Sequence, residues 1–227
     1  VYGISLDKLE EILAGKYGDQ NVRWEGSAFC VLKVSLLGIK DPVDLSIPRR
    51  DSKVSADSFG RGRGFKASGD PGMSVVEAAA RRDLVFNTMA YDPMTETLYD
   101  PYGGVESIRE REIRVINPES FKEDPLRVLR VMQFSARFDF DISASVTQLC
   151  KEMVEAGSLD DLPRERITEE FKKLFTKGKR PSLGLNFIRE IGLVERWFPQ
   201  LQALIGCEQD SIWHPEGDVW NHTLQVL

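Results

Sequence analysis

An acidic and a basic residue lie three positions apart where an apolar helical pattern begins, in Glu123–Arg130. Asp124 and Arg127 should share one helix face, because residues three apart are neighbours on a helix surface. A carboxylate acceptor beside a guanidinium donor matches the exocyclic amine and unprotonated ring nitrogen of cytosine and adenine, whereas uracil and guanine present the opposite polarity. The spacing therefore suits recognition of an amino-bearing base. The alternative is a helix start with Asp124 as N-cap, Pro125 at the first position and an intrahelical ion pair.

A second set of polar residues follows the strongly helix-favouring Glu77–Ala80. We predict a helix from Val75 to about Ala90, on which Asp83 and Asn87 lie one turn apart and project together. Such a pair could reach a ribose hydroxyl, while Arg82 could hold a phosphate. The alternative is an exposed helix with local ion pairs.

The remaining pattern shows which elements must position these residues. Ser5 can cap a helix that carries the apolar stripe Leu6, Leu9, Ile12 and Leu13, with Gly15 near its end. Strands are predicted at Asn21–Trp24, Phe29–Leu36 and Val43–Ile47. In the third of these, alternation places Asp44 and Ser46 on one face.

Two segments are predicted to lack regular structure. Asp51–Gly72 is a loop of unusual length, which is typical of a functional or a disordered segment. Its Gly60–Gly64 stretch suits phosphate contact, and a solvated surface loop explains it equally well. Asp100–Gly104 is a glycine turn that divides a β-containing first part from a second part predicted to be entirely helical.

Composition excludes several classes of protein. The chain has 227 residues, 41% of them hydrophobic, which is enough to bury a core as one or two domains. No apolar run approaches the ~20 residues that span a bilayer, so we expect no membrane segment. Cys30, Cys150 and Cys207 are far apart, which argues against a disulfide framework or a thiolate zinc site and favours the cytoplasm. A net charge of −6 confines any nucleic-acid contact to local patches.

Five motifs, in order along the chain, resemble those of one enzyme family. Arg81–Asp92 is similar to RRDFTINALAYD, Asp100–Gly104 to DPFGG, and Glu123–Phe138 to EDPLRxLRAxRFAARF. Pro163–Phe175 is similar to the helical element that follows, and Trp213–Thr223 to the start of the HD domain of one bacterial branch. The family is that of the class II tRNA nucleotidyltransferases, which comprises CCA-adding enzymes and their bacterial poly(A) polymerase relatives.

The resemblance implies an α+β fold in three parts. A mixed α/β nucleotidyltransferase head would occupy residues 1–115, without its N-terminal Asp-x-Asp strand. An all-helical neck that contacts the nucleotide base would occupy residues 116–180. Residues 181–227 would start a helical body or HD domain. Because the chain opens on Val1 and stops within a helical pattern, we expect a fragment of a longer protein.

The resemblance also implies roles for the polar residues described above. Asp124 and Arg127 would contact the Watson–Crick edge of CTP and then of ATP, with Arg130 supporting the site. Arg82 and Asp83 would contact the phosphates and ribose of the incoming nucleotide.

A metal site is implied only in part. Asp44 lies where the family has a third acidic residue beside its catalytic metal ions, for which we expect Mg²⁺. Val1–Ile4 is similar to the sequence just after the Asp-x-Asp pair, so both of those carboxylates would lie upstream. Two-metal phosphoryl transfer needs ions ~3.5–4 Å apart, which Asp44 cannot hold alone. We therefore expect the polypeptide as written to be inactive, although the protein it comes from is active.

Two further groups each have a structural and a functional interpretation. Five cations follow the apolar residues of one helix: Lys172, Lys173, Lys177, Lys179 and Arg180. They could contact the backbone of the tRNA acceptor end, or only complement the helix dipole. His214 and His222 invite a metal interpretation, but no His-Asp doublet is present, so capping and packing are the expected roles.

The sequence thus predicts an enzyme that builds or repairs the 3′-CCA end of tRNA from CTP and ATP. A poly(A) polymerase, or an enzyme that adds only CC or only A, is the alternative within the family. The Asp51–Gly72 loop weighs against a CC-only enzyme and the HD-like segment against a poly(A) polymerase. An alternative of another class is a non-catalytic RNA-binding module.

Overall fold

A computed structural model describes residues 1–25, 31–53 and 65–227, and within these ranges the side chains of all but residues 50–53 and 65–68. The described chain divides into two compact units, Val1–Ala79 and Ala80–Leu227. No helix in the described ranges is both long enough and apolar enough to cross a membrane.

The described part of the first unit contains two α-helices and two small antiparallel sheets. Its elements are α1 (Leu6–Tyr17), the 3₁₀ turn η1 (Asp19–Asn21), β1 (Val22–Trp24), β2 (Val31–Val34), β3 (Val43–Ser46), β4 (Arg49–Lys53), β5 (Phe65–Gly69) and α2 (Val75–Ala79). Strands β1, β2 and β3 form one sheet in that order, and β4 pairs with β5. Ser5 caps α1 as expected, accepting from the amide of Lys8 at 3.3 Å. Leucines of α1 form a small core with Leu32 and Val34 of β2.

The segment predicted as a loop over Asp51–Gly72 is partly a hairpin. Strands β4 and β5 pair from Arg49 opposite Gly69 to Lys53 opposite Phe65. A loop was predicted because the segment is polar and contains glycine. Composition does not show where backbone groups find their hydrogen-bond partners, and here the two flanks of the segment bond to each other. Residues 54–64, which include the Gly60–Gly64 stretch, lie outside the described residues.

The helix predicted from Val75 to about Ala90 is also shorter than expected. Helix α2 ends at Ala79, and a 3₁₀ turn, η2, covers Val85–Thr88. Between them Leu84 is extended, and the Val85 amide donates to the Arg114 carbonyl at 2.9 Å instead of continuing a helix. Tertiary hydrogen bonding thus overrides the local helix preference.

The second unit is mainly helical. Its helices are α3 (Gly104–Arg109), α4 (Pro118–Lys122), α5 (Leu126–Phe138), α6 (Ala144–Glu155), α7 (Arg164–Lys177), α8 (Pro181–Glu190), α9 (Leu193–Trp197), α10 (Pro199–Gln202) and α11 (Val219–Val226). Its strands are β6 (Ala90–Asp92), β7 (Thr97–Tyr99), β8 (Glu112–Ile113) and β9 (Asp141–Ile142). Strands β6 and β7 form a hairpin, and β8 pairs with β9 in parallel.

The turn at Asp100–Gly104 has the predicted backbone form, with Gly103 at a φ of +77° before α3. The expectation of an entirely helical chain after this turn is wrong, because β8 and β9 pair across the intervening helices. Two residues per strand are too few to give a periodic signal, so the parallel pairing depends on tertiary contact alone.

Helix α5 is the centre of the second unit. Its apolar face is fully buried at Val128, Leu129 and Met132, and it packs against α7 and α8. A Cβ added at Gly184 of α8 would lie 2.9 Å from the Met132 carbonyl oxygen, so this glycine permits a close helix–helix approach.

The α+β fold class is confirmed, and residues beyond Ala79 that were predicted to belong to the head share the core of α5. Leu84, Phe86 and Ile113 all lie in the same buried cluster as Leu129. The domain limits at residues 115 and 180 stay a prediction.

Candidate nucleotide-recognition site

Asp83 and Arg130 form a mostly buried ion pair in the second unit. The guanidinium Nε of Arg130, on α5, donates to Asp83 Oδ2 at 2.5 Å, and the Asp83 side chain is only 9% exposed. Burial alone raises the pKa of Asp83, but the charge and hydrogen bond of Arg130, together with hydrogen bonds from the Asn87 side chain and the Leu84 backbone, leave the pKa below its ordinary value. Asp83 is therefore a fixed negative charge.

Asn87 adds a second contact to this carboxylate, since its side-chain amide donates to Asp83 Oδ1 at 3.1 Å. The structure thus brings Asp83 and Asn87 together, as predicted, but through a 3₁₀ turn and not through a longer helix. Arg82 is exposed, and no carboxylate partner is found for it among the described residues. As far as the described residues show, its guanidinium is open to an anion.

Asp124 and Arg127 are not paired with each other among the described residues. The structure has Pro125, and not Asp124, at the N-cap of α5, without a side-chain cap hydrogen bond. Asp124 lies one residue before this N-cap, and its Oδ1 accepts from the Leu126 amide at 3.2 Å. Its Oδ2 accepts from Arg166 Nη2 of α7 at 3.0 Å. The predicted intrahelical ion pair is absent because each partner has a different contact.

The guanidinium of Arg127 is held by two backbone carbonyls. Its Nη1 donates to the Ser120 carbonyl at 2.7 Å, and its Nη2 donates to the Arg81 carbonyl at 2.9 Å. A guanidinium has five N–H donors, so donors remain for a ligand, and the Asp124 carboxylate likewise retains lone pairs. An acceptor and a donor are thus fixed separately on neighbouring segments.

Arg166 is the site residue that the sequence did not single out. It stands in the first turn of α7, within the Pro163–Phe175 motif, but no spacing rule links it to Asp124 across 42 residues. The pairing of Arg166 with Asp124 follows only from the tertiary contact of α7 with α5.

Asp44 lies in the first unit, on β3, with its side chain 64% exposed. Lys33 of β2 is directly opposite it in register, and its ammonium lies 3.9 Å from Asp44 Oδ1. Among the described residues Asp44 does not belong to any group of three possible metal ligands. Its predicted metal role stays a prediction.

The five predicted RNA-contacting cations divide into two sets. Lys172, Lys173 and Arg180 are near Glu169, Glu170 and Asp139, at 3.8, 2.8 and 2.8 Å respectively. Lys177 and Lys179 are exposed, and within the described ranges no carboxylate pairs with them. These two are the cations most available to a phosphate backbone.

His214, Glu216 and His222 form a half-buried cluster near the C-terminus. Glu216 Oε1 lies 3.2 Å from Nδ1 of His214 and 2.5 Å from Nδ1 of His222. Hydrogen bonds from its own backbone amide and from both histidines lower the pKa of Glu216 to about 2. In the described part of the chain this is the one group of three residues whose ligand atoms could hold a metal ion. The capping and packing roles expected for the histidines stay a prediction.

Comparison with protein families matches two models in succession. The Poly A polymerase head domain matches residues 39–114, and the model described as "Probable RNA and SrmB-binding site of polymerase A" matches residues 139–205. The second match includes α7 and its cations. The chain belongs to the class II tRNA nucleotidyltransferase and poly(A) polymerase family.

Individual relatives agree with this assignment. The chain is 41% identical over 171 residues to a "Multifunctional CCA protein" of Stenotrophomonas maltophilia (strain K279a). The aligned region covers 74% of this chain and 42% of that protein. A structure of a tRNA nucleotidyltransferase complexed with a primer tRNA and an incoming ATP analog has 25% identity and a TM-score of 0.66, covering 99% of this chain and 64% of that one. A Bacillus stearothermophilus CCA-adding enzyme in complex with CTP has 26% identity and a TM-score of 0.63, covering 76% and 39%. The chain thus spans less than half of the curated relative.

Proposed function

We propose that the complete gene product is a tRNA nucleotidyltransferase that adds or repairs the 3′-terminal CCA of tRNA from CTP and ATP without a nucleic-acid template. The observation that carries this proposal is the separate fixation of Asp124 and Arg127. An acceptor and a donor held apart from each other can both face a base edge, and their polarity fits cytosine and adenine. Relatives named for CCA addition, tRNA and CTP support the assignment.

The other residues of the site have supporting roles in this proposal. Arg130 neutralises Asp83 and fixes α5 to the segment that carries Arg82. Exposed Arg82 would contact the nucleotide triphosphate, and Asp83 with Asn87 would face the ribose. Because Asp83 is buried and already accepts two side-chain hydrogen bonds, its role is to position Asn87 and Arg130 as much as to contact ligand.

The proposal is tested by replacing the base-recognition pair in the complete gene product. Asp124→Ala and Arg127→Ala should each reduce the preference for CTP and ATP over UTP and GTP by about tenfold or more, since a good base contact contributes about 1–3 kcal/mol of discrimination. Nucleotide incorporation into tRNA that lacks CCA measures this preference. Glu119→Ala, an exposed acid on α4, is the control. Unchanged preference in both variants would refute the proposed base recognition.

Mg²⁺ is the cofactor that the family resemblance implies. Asp44 does not by itself fit a two-ion centre, because it is one exposed carboxylate already near Lys33. Its assignment as a catalytic metal ligand is therefore a proposal based on the resemblance alone, as is the HD domain. A cytoplasmic location is proposed from the absence of a cysteine pattern typical of disulfides.

An alternative of another class, a non-catalytic RNA-binding module, would lack the paired carboxylates that two metal ions need. The same incorporation assay separates the two: such a module would bind tRNA and add no nucleotide. Product length separates the alternatives within the family, since a poly(A) polymerase extends its product beyond three nucleotides and CC- or A-adding enzymes stop short of CCA.

Contact with the tRNA acceptor end would use the cations of α7 and the loop after it. Lys177 and Lys179 carry most of this proposal because the described structure gives them no carboxylate partner. Replacing both with Ala should weaken tRNA binding and flatten its salt dependence, because fewer counterions are released. Nucleotide affinity should not change. Lys122→Ala on α4 is the control, and equal tRNA affinity for the double variant and this control at low salt would rule the contact out.

A further inference from the structure

The contact between Arg166 and Asp124 joins two helices that are distant in sequence. Arg166 stands in the first turn of α7 and donates to Asp124 Oδ2 at 3.0 Å. The other oxygen, Oδ1, accepts from the Leu126 amide at 3.2 Å. One hydrogen bond to each oxygen fixes the plane of a carboxylate, whereas a single bond would leave it free to rotate.

Without Arg166, Arg127 is the cation that helical spacing would place beside Asp124. Residues three apart at a helix start readily form an ion pair, which would direct the acceptor and the donor toward each other and away from a ligand. In the structure this does not occur, because Arg166 engages Asp124 while the Ser120 and Arg81 carbonyls engage Arg127.

The exposure of this pair indicates a role in positioning more than in stability. The side chains are 47% and 35% exposed, and ion pairs of such exposure contribute little to folding. Loss of Arg166 should therefore leave the fold intact and change the orientation of Asp124.

We propose that Arg166 is a positioning residue for base selection, which holds the Asp124 carboxylate apart from Arg127 and turned toward the nucleotide base. This inference rests on the proposed function. In this proposal Arg166 acts through Asp124 and makes no contact of its own with the base or the reacting atoms.

The test compares Arg166→Ala with Arg164→Ala in the complete gene product. Arg164 lies in the same helical turn, is exposed, and has no carboxylate partner in the described ranges. Arg166→Ala should lower the preference for CTP over UTP, measured as the ratio of their dissociation constants, by about tenfold, the size of one lost base contact. Arg164→Ala should leave the ratio unchanged. Arg166→Lys, which retains the charge but offers a single flexible ammonium, should recover part of the preference.

A double variant establishes whether the effect passes through Asp124. Asp124→Ala with Arg166→Ala should show the same preference as Asp124→Ala alone, because the positioned group is already absent. Additive losses would overturn the proposal, as would an Arg166→Ala protein that retains the CTP preference or loses only tRNA affinity. A wild-type protein without any preference for CTP and ATP would instead refute the proposed function. Equal unfolding midpoints of the Arg166→Ala and Arg164→Ala proteins exclude a general loss of structure.

Discussion

The two units hold their candidate functional acids in different ways. In the second unit, Asp83 is buried beside α5 and accepts hydrogen bonds from Arg130 and Asn87. In the first unit, Asp44 is exposed on the edge strand β3 and lies 3.9 Å from one lysine. Both residues were predicted to act on nucleotide or metal, yet only Asp83 has a fixed geometry.

The difference follows from the cores behind the two residues. Helix α5 packs its apolar face against α7 and α8. This packing fixes the helix backbone, and therefore the starting position of the polar side chains at its exposed edge. Among the described residues of the first unit, the core is a small cluster between α1 and β2 and does not include Asp44. A large core thus allows polar side chains to be positioned by contacts from several segments.

The largest expected change is in stability, when Asp83 and Asp44 are each replaced by asparagine. Asp83→Asn should destabilise the complete gene product by about 2–3 kcal/mol, because it leaves the partly buried Arg130 without its anion. Asp44→Asn should not measurably change the midpoint of denaturant unfolding. Equal effects of the two substitutions would contradict the contrast drawn between the units.

The Asp83 effect should also depend on pH. A carboxylate whose pKa is lowered by folding stabilises the protein above its unfolded pKa, and this contribution is lost as the pH falls through the folded pKa. The difference in free energy of unfolding between the wild-type protein and Asp83→Asn should therefore be largest at neutral pH and should decline below pH ~4. A difference that persisted unchanged in acid would show that packing, and not the charge of Asp83, is responsible.

A smaller change in stability is expected when a helical glycine in each unit is replaced by alanine. Gly184→Ala should cost about 1–2 kcal/mol, because the new Cβ would lie 2.9 Å from the Met132 carbonyl and 2.6 Å from Leu174 Cδ1. Gly15→Ala in α1 has nothing within 4 Å of the new Cβ, so it should stabilise the helix by up to about 1 kcal/mol. Unfolding midpoints of the two variants measure the difference. A neutral Gly184→Ala would mean that α5 and α8 can separate without cost.

Local sequence signals predicted elements well where one periodic pattern sufficed. The cap at Ser5 and the strand at Val43–Ser46 formed as expected. They failed where distant segments decide, as at Ala79, where a helix-favouring run stops because the following residues bond to Arg114 and Arg130. Local signals also missed the β8–β9 pair, because each strand is too short to be recognised alone.

The sequence by itself determined the types of group in the site, because the motif order and the spacing of Asp124 and Arg127 depend only on the covalent chain. The tertiary structure alone decided that these two side chains do not pair with each other. That outcome depends on Arg166, Ser120 and Arg81, whose hydrogen bonds exist only once α4, α5, α7 and the segment before η2 pack around one core. Spacing along a chain specifies neighbours on one helix, whereas partners on other helices are specified by packing.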